Sequence, residues 1–473
     1  MRSLFAFSHN GAGETAMTNA QNIAAAVAEL KGSFGGELLR AGDTGYDAAR
    51  KIHNGLIDKH PAVIARCTGT ACIVDAVKFG RQHGLEIAVR GGGHNVAGRS
   101  TVEGGLMIDL APMKGIYVDA KARTVRCQGG VNWGEFNRET QLHGLATTGG
   151  AISTTGVAGL TLGGGLGWLM GKYGLTIDSL VSAEVVTADG AVLTASAAEN
   201  LDLFWALRGG GGNFGVVSSF EFRLHPVGPM ITGGLVAHPF EKAGEVLRYY
   251  RGLTASLPDE MVVFAGLVHA PDGSGVPLVA ILASHCGSLA EGEAAMKPIK
   301  AFGKPVLDAL GPIPYSALNT MLDAGNPKGA LNYWKANFVP ELSDAAINAV
   351  IKAFSSCTSP MSAILFEHFH GAACRAAIGD TAFPHRAPGY NMLCLGQWMD
   401  AGDTTRQTGW VRDTYTTMKP FMAAGRYMNY LNEDEMSEGG ASAYGPNHAR
   451  LRAIKRKYDP DNVFHLNQNI IPS

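Results

Sequence analysis

Charge is scarce in this chain, and what there is nearly cancels. Asp, Glu, Lys and Arg make up 17% of 473 residues, with a formal net charge of −2. No basic excess is available to neutralise phosphates or an anionic bilayer, so neither nucleic acid nor a membrane is an expected partner. No apolar run reaches the roughly 18 residues of a membrane-spanning helix. The apolar stretch within Met1–His9 is too short for a secretory leader. That predicts a cytoplasmic protein, with Met17 as an alternative start. The seven cysteines, at 67, 72, 127, 286, 357, 374 and 394, include no Cys-x-x-Cys pair. No metal site is expected, and buried free thiols in a reducing compartment are. The common phosphate loops are missing too. There is no Gly-x-x-x-x-Gly-Lys-Ser/Thr, no Gly-x-Gly-x-x-Gly at a strand-to-helix junction and no kinase signature.

What the chain has in excess is glycine. It contributes 62 residues, about twice the usual share of ~7%. Three blocks hold much of it: Val89–Gly98, Gly149–Gly174 and Gly209–Gly215. The first reads Val-Arg-Gly-Gly-Gly-His-Asn-Val-Ala-Gly. Consecutive glycines let a backbone turn tightly and approach an anion closely, and successive N–H groups in such a turn form an anion-binding nest. Taken alone, a histidine beside a glycine run is an ordinary loop. Several separate blocks, with none of the standard spacings, point instead to a long cofactor gripped at several places. His94 would then stand close to its reactive end.

The length suits two or three domains, and 46% hydrophobic residues suit a globular chain. Amphipathic spacing predicts helices at Asn22–Leu30 and Ala71–His83. Asn132 with Glu135 reads as a capping box for a helix ending at Gly144. Short strands are expected at Leu85–Arg90, Gly105–Leu110, Gly115–Val118, Thr124–Gln128, Ala183–Thr187, Val192–Ala195 and Val216–Leu224. Beyond Pro229 the glycine blocks stop. Longer strands (Met261–His269, Leu278–His285, Ala363–Gly371, Tyr390–Trp398) alternate with helices (Glu241–Leu253, Leu289–Ala301, Ser343–Phe354, Thr404–Ala424). That order indicates a mixed α+β domain with an antiparallel sheet. A basic helix, Pro446–Tyr458, leads into the tail.

From about Ile64 to the C-terminus the chain resembles the berberine-bridge-type FAD-linked oxidoreductases of the p-cresol methylhydroxylase/vanillyl-alcohol oxidase superfamily. The resemblance is carried by Val89–Gly98, by Gly156–Trp168 (GVAGLTLGGGLGW), by Lys172–Gly174 and by Asn200–Arg208 (NLDLFWALR) running into Gly209–Gly215. Late in the chain it is carried by Thr381–Arg386 (TAFPHR), Tyr427–Tyr430 (YMNY) and Lys457–Phe464 (KYDPDNVF). Residues 1–40 read as a leader and an N-terminal helix. The resemblance implies an FAD-binding domain at 41–228 in two subdomains, an inserted substrate domain at 229–425 and a C-terminal segment at 426–473 that returns to the FAD domain. The fold implied is α+β.

Residue by residue, His94 matches the histidine that bonds covalently to the flavin 8α-methyl. Arg90, Gly91, Gly92, Gly93, Asn95 and Gly98 match the loop on the pyrophosphate. Gly150, Gly156, Gly159, Gly163, Gly164 and Gly165 match a second wall along the cofactor, and Val217 a contact to its adenine half. Tyr427, Asn429 and Asn469 match contacts to the flavin or its ribityl chain. Tyr430 matches a tyrosine used as catalytic base or as partner to one. In many members a cysteine makes a second flavin bond from a Cys-Pro-Thr sequence, whereas this chain has Ile152-Ser153-Thr154 there. A single covalent link, through His94, is therefore expected. Thr155 holds the position that gates oxygen. Being isosteric with valine, it is compatible with an oxidase.

The resemblance implies hydride transfer from an alcohol or amine C–H of a small molecule, a sugar or an aromatic metabolite, to FAD, with reoxidation by O2. The alternatives are a dehydrogenase or reductase using another electron carrier, and a flavoprotein that sequesters an aromatic compound without turnover. Glu367, His368, Phe369, His370, Gln397 and Trp398 are the candidate pocket residues, and strand alternation lets only one parity of each strand face inward. No sequence feature speaks to oligomeric state.

Overall fold

The structure, a computed structural model, describes residues 22–435, 440 and 442–473. The expected leader and the alternative start at Met17 lie outside the described residues.

The N-terminal part is built on a small sheet in the order Glu37–Leu39, Val63–Arg66, Leu106–Asp109, Ile87–Arg90. The last three strands are parallel. Val63, Ile64 and Ala65 are fully buried, as are Leu106, Met107 and Ile108. Such unbroken apolar runs suit a sheet covered on both faces. Helix Thr70–Gln82 makes the crossover and buries Ile73, Ala76 and Val77. The register opposes Arg90 to Asp109 at the end of the pair, so the first glycine block leaves the sheet from a fixed point.

A second sheet is antiparallel, in the order Ile116–Asp119, Thr124–Gln128, Val216–Arg223, Leu180–Val186, Val192–Ser196. Asp189-Gly190 turns its last hairpin, with Gly190 at φ +83°. Glu135 Oε2 accepts from the Asn132 backbone nitrogen at 2.8 Å, one half of the expected capping box, where helix Trp133–Gln141 starts.

The strands after Pro229 join one eight-stranded sheet, along the path Leu307–Asp308, Met230–Pro239, Pro277–His285, Met261–His269, Ala363–Phe369, Gly389–Trp398, Leu331–Val339, with Gly311–Pro314 paired to Met230–Pro239. One face packs on helices Ala243–Thr254, Asp344–Phe354 and Thr404–Met418 through Val263, Phe366 and Val411. The other face meets the second glycine block, where Phe264, Leu282 and Phe369 pack with Leu166, Trp168 and Met170. The Ser284 hydroxyl donates to the Trp168 carbonyl across that seam at 2.9 Å.

Strands Met230–Pro239 and Leu331–Val339 were not expected from the sequence. Pro229 and Gly233-Gly234 mask the first, and Asn332, Lys335 and Asn337 break the apolar pattern of the second. Among the described residues no helix is long and apolar enough to cross a membrane, and no cluster of His, Cys, Asp and Glu has metal-binding geometry.

Candidate active site

The three glycine blocks and the face of the large sheet opposite its helices converge on one cavity. Gly91–Asn95, Gly150–Gly163 and Gly211–Gly215 supply parts of its walls. Leu365, Glu367, Leu393 and Leu395 reach it from the sheet, with Trp334, Asn429 and Tyr430 beside them. Close backbone approach explains two of the glycines. A Cβ on Gly92 would lie 2.3 Å from the Gly156 nitrogen, and one on Gly163 would lie 2.0 Å from Asn429 Oδ1. Backbone meets backbone at Gly92 and Gly156, so the first two blocks fit together there only without side chains, and a side chain at Gly163 would displace the Asn429 amide.

The cavity offers donors for an anion. One nitrogen of the Arg99 guanidinium, Nη1, donates to the carbonyls of Leu466 and Asn467 at 2.5 and 2.9 Å. Its Nε and Nη2, and the Ser100 hydroxyl, are buried without partners among the described residues. Both side chains line the cavity. Buried polar groups normally have partners, and a pyrophosphate is of the right chemistry to satisfy these. Val217 and Gly215 are part of the same wall. The residues present therefore have the donor chemistry to hold FAD.

His94 sits where the glycine loop meets the second block. Its Nε2 is 2.8 Å from Thr154 Oγ1, and its ring stacks on His53 with centroids 3.9 Å apart and planes 21° apart. Burial, and then the neighbouring His53, push the imidazole down to about 3, so at neutral pH it is uncharged and keeps a lone pair. Nδ1 has no hydrogen-bond partner among the described residues. Ile152 lines the wall, and no cysteine does.

At the other end Tyr430 donates its phenolic hydrogen to Glu367 Oε1 at 3.0 Å, and Asn391 Nδ2 donates to Oε2 at 2.6 Å. Register explains the Glu367–Asn391 pair, because Glu367 stands opposite both Phe264 and Asn391 on the face that meets the glycine block, and Tyr430 reaches it from the 3-10 turn Met428–Tyr430. Burial raises the Glu367 carboxyl to about 7, opposed by its two hydrogen bonds. Burial, and then the Glu367 charge, raise the Tyr430 phenol well above its ordinary value. Glu367 has no ion-pair partner among the described residues. Lys335 pins the segment that carries Tyr430 by ion pairs to Asp434 and Glu435, at 2.9 and 3.4 Å.

The other expected residues divide. Gly91, Gly92, Gly93, Asn95, Gly150, Gly156, Gly159, Gly163, Val217 and Asn429 line the cavity. Arg90 does not, because its guanidinium forms a two-point pair with Asp109 at 2.8 and 2.5 Å and donates to the Ala49 carbonyl. Gly98 packs on Ile57, Gly164 on Phe383 and Gly165 on Thr176. Tyr427 stands behind the wall, its hydroxyl accepting from Gly165 N at 3.2 Å and from Asn429 Nδ2 at 2.9 Å. Asn467 and Gln468 reach the cavity where Asn469 does not.

Of the six pocket candidates only Glu367 lines it. His368 points to the helix-covered face beside Tyr390, with ring centroids 5.2 Å apart. Phe369 is packed against Phe338, and His370 lies 2.8 Å from the Met261 carbonyl through Nε2. Trp398 belongs to the core under the helices. Gln397 is fully buried away from the cavity. Sequence reasoning missed His53, Arg99, Ser100 and Trp334. Arg99 and Ser100 directly follow the glycine loop, and a cation there was a signal to weigh.

Because Asp109 is fully buried under Arg90, Asp109→Asn should leave an uncompensated guanidinium. The expected loss is about 3–5 kcal/mol of folding stability, measured by urea unfolding.

Residues 61–196 match the family described as FAD binding domain, and residues 426–471 the one described as berberine and berberine like. An FAD-linked oxidoreductase of Dictyostelium discoideum is 30% identical over 94% of this chain and 97% of its own length. The structure of 6-hydroxy-D-nicotine oxidase from Arthrobacter nicotinovorans superposes with a TM-score of 0.84 at 28% identity, covering 93% of this chain and 99% of that one. Glucooligosaccharide oxidase from Acremonium strictum, described with a 6-S-cysteinyl, 8α-N1-histidyl FAD, superposes with a TM-score of 0.84 at 26% identity, covering 95% and 99%.

Proposed function

The chain belongs to the berberine-bridge-type FAD-linked oxidoreductases, and on that premise we propose that it is an oxidase that takes hydride from a small, largely apolar amine or alcohol, with Glu367 and Tyr430 removing the proton. The observation that carries this reading is the Tyr430–Glu367 hydrogen bond on the wall of the cavity that His94 also lines. Bound FAD supplies the hydride acceptor and passes the electrons on, in this reading to O2.

The proton chemistry belongs to the side chains. A substrate N–H or O–H is placed against the Tyr430 oxygen. As that hydrogen moves to the phenol, the phenolic hydrogen moves to Glu367. A tyrosine alone is a poor base at neutral pH, but a carboxylate near 7 is matched to the task. Asn391 holds the carboxylate in place.

The walls favour an apolar substrate body over an oligosaccharide. Leu322, Leu365, Leu393, Leu395 and Trp334 offer almost no hydrogen bonds at this end, and a sugar's hydroxyls would lose their water without replacement. Among the described residues no cation pairs with Glu367, and a substrate ammonium would provide one, so amines are favoured over alcohols. Thr155 on the wall leaves oxygen a small side chain to pass, which supports O2 as acceptor. Ile152 supports a single flavin link through His94.

The test is anaerobic mixing of the purified protein with hydrophobic cyclic amines, benzylic alcohols and oligosaccharides. Bleaching of the flavin by an amine is expected. Bleaching by sugars alone would overturn the substrate reading, and binding without bleaching by any of them would favour a non-catalytic binder. With a substrate in hand, the reduction rate should rise with pH through about 7 and then level off. The sign follows from the ionised carboxylate being the active form. A rate that falls over the same interval would contradict it.

A further inference from the structure

We propose that Thr154 and His53 are positioning residues for attachment of the flavin, holding His94 in the Nε2–H tautomer so that Nδ1 forms the bond. The proposal rests on the reading that His94 is the attachment point.

A neutral imidazole has one N–H and one lone pair, and which nitrogen carries which is set by the partner of the other. Thr154 Oγ1 is the hydrogen-bond partner of His94 Nε2, and Nδ1 has none among the described residues. If the threonine hydroxyl donated, the proton would sit on Nδ1 and the free nitrogen would have no lone pair to offer. Only the arrangement in which Thr154 accepts leaves a lone pair on the unpartnered nitrogen of a residue that lines the cavity.

The clamp is itself held. Ser153 donates from its backbone nitrogen and its hydroxyl to Asp323 at 2.9 and 2.5 Å. Gly134 N donates to the Ser153 carbonyl at 2.8 Å, and Trp133 N to the Thr155 carbonyl at 3.0 Å. On the other side His53 N donates to the Gly93 carbonyl at 3.0 Å, and His53 presses its ring on His94. The imidazole is thus fixed in plane by stacking and in rotation by the hydroxyl.

Attachment breaks one 8α C–H bond and forms the Nδ1–C bond. The electron pair of the C–H bond passes through the flavin ring to dioxygen. The C–H proton and the Nε2 proton, which Thr154 relays to solvent, complete hydrogen peroxide. Thr154 is exposed, which gives that proton an exit.

The test compares the parent with Thr154→Val, Thr154→Ser, His53→Ala and His53→Phe, each expressed with ample riboflavin and precipitated in acid. The readout is the share of flavin left in the pellet, against the share released. Thr154→Val should lower the bound share at least tenfold while still carrying releasable FAD, and Thr154→Ser should restore it. His53→Ala should lower it, and His53→Phe, which keeps the stack, should recover most of it. A yellow parent pellet with an equally yellow Thr154→Val pellet overturns this proposal and spares the His94 reading. A colourless parent pellet overturns both. If Thr154→Val fails to fold, the His53 pair decides on the same readout, and equal pellets from Ala and Phe overturn the clamp.

Discussion

Glu367→Gln should leave the protein folded and its flavin bound, and should slow flavin reduction by about 10²–10⁴-fold, the usual worth of a positioned acid or base. The glutamine keeps the volume of the side chain and can still face Asn391, which now donates 2.6 Å away to a carboxylate oxygen. What it cannot do is accept the Tyr430 hydrogen and carry it away. Tyr430→Phe removes the relay but not the base, so it should slow reduction less than Glu367→Gln does. The two form a unit, so the double variant should be no slower than Glu367→Gln by more than a small factor. Stopped-flow absorbance under nitrogen reads all three. The acid limb near pH 7 should disappear with the carboxylate. Reduction at the parent rate in Glu367→Gln would remove this residue from the chemistry.

His94→Ala should abolish covalent flavin entirely. The other residues that would hold the flavin, Arg99, Ser100 and the glycine walls, can do so only non-covalently, so the variant should purify partly empty and release all its FAD into the acid supernatant. Activity should fall with occupancy, and in part return when FAD is added. A variant that keeps its flavin in the pellet would mean that another side chain holds it. The cysteines offer no such route, because none lines the cavity and Cys67, Cys127 and Cys394 are buried elsewhere.

The glycine loop was legible in the sequence because its demand is local: three glycines in a row have a backbone reason wherever they fall. The sheet strands Met261–His269 and Ala363–Phe369 were legible for a similar reason, from apolar runs of strand length. Their parity was not. Whether Glu367 or His368 faces the cavity depends on which face meets Trp168 and Met170, a contact between segments far apart in the chain. Arg90 was misplaced by the same kind of non-local fact. Next to a glycine nest it invites a phosphate, yet the parallel register sets it against Asp109. His53, Arg99 and Asn467 reach one cavity from three distant segments, and no spacing rule joins them.

In the proposed reading one bond at His94 holds the flavin, in a cavity where Glu367 and Tyr430 take the proton. Denaturing the purified protein and digesting it for mass spectrometry tests this without a known substrate. The expected result is an FAD-mass adduct on the peptide containing His94 and on no other. An unmodified His94 peptide, or an adduct on a cysteine, would contradict it.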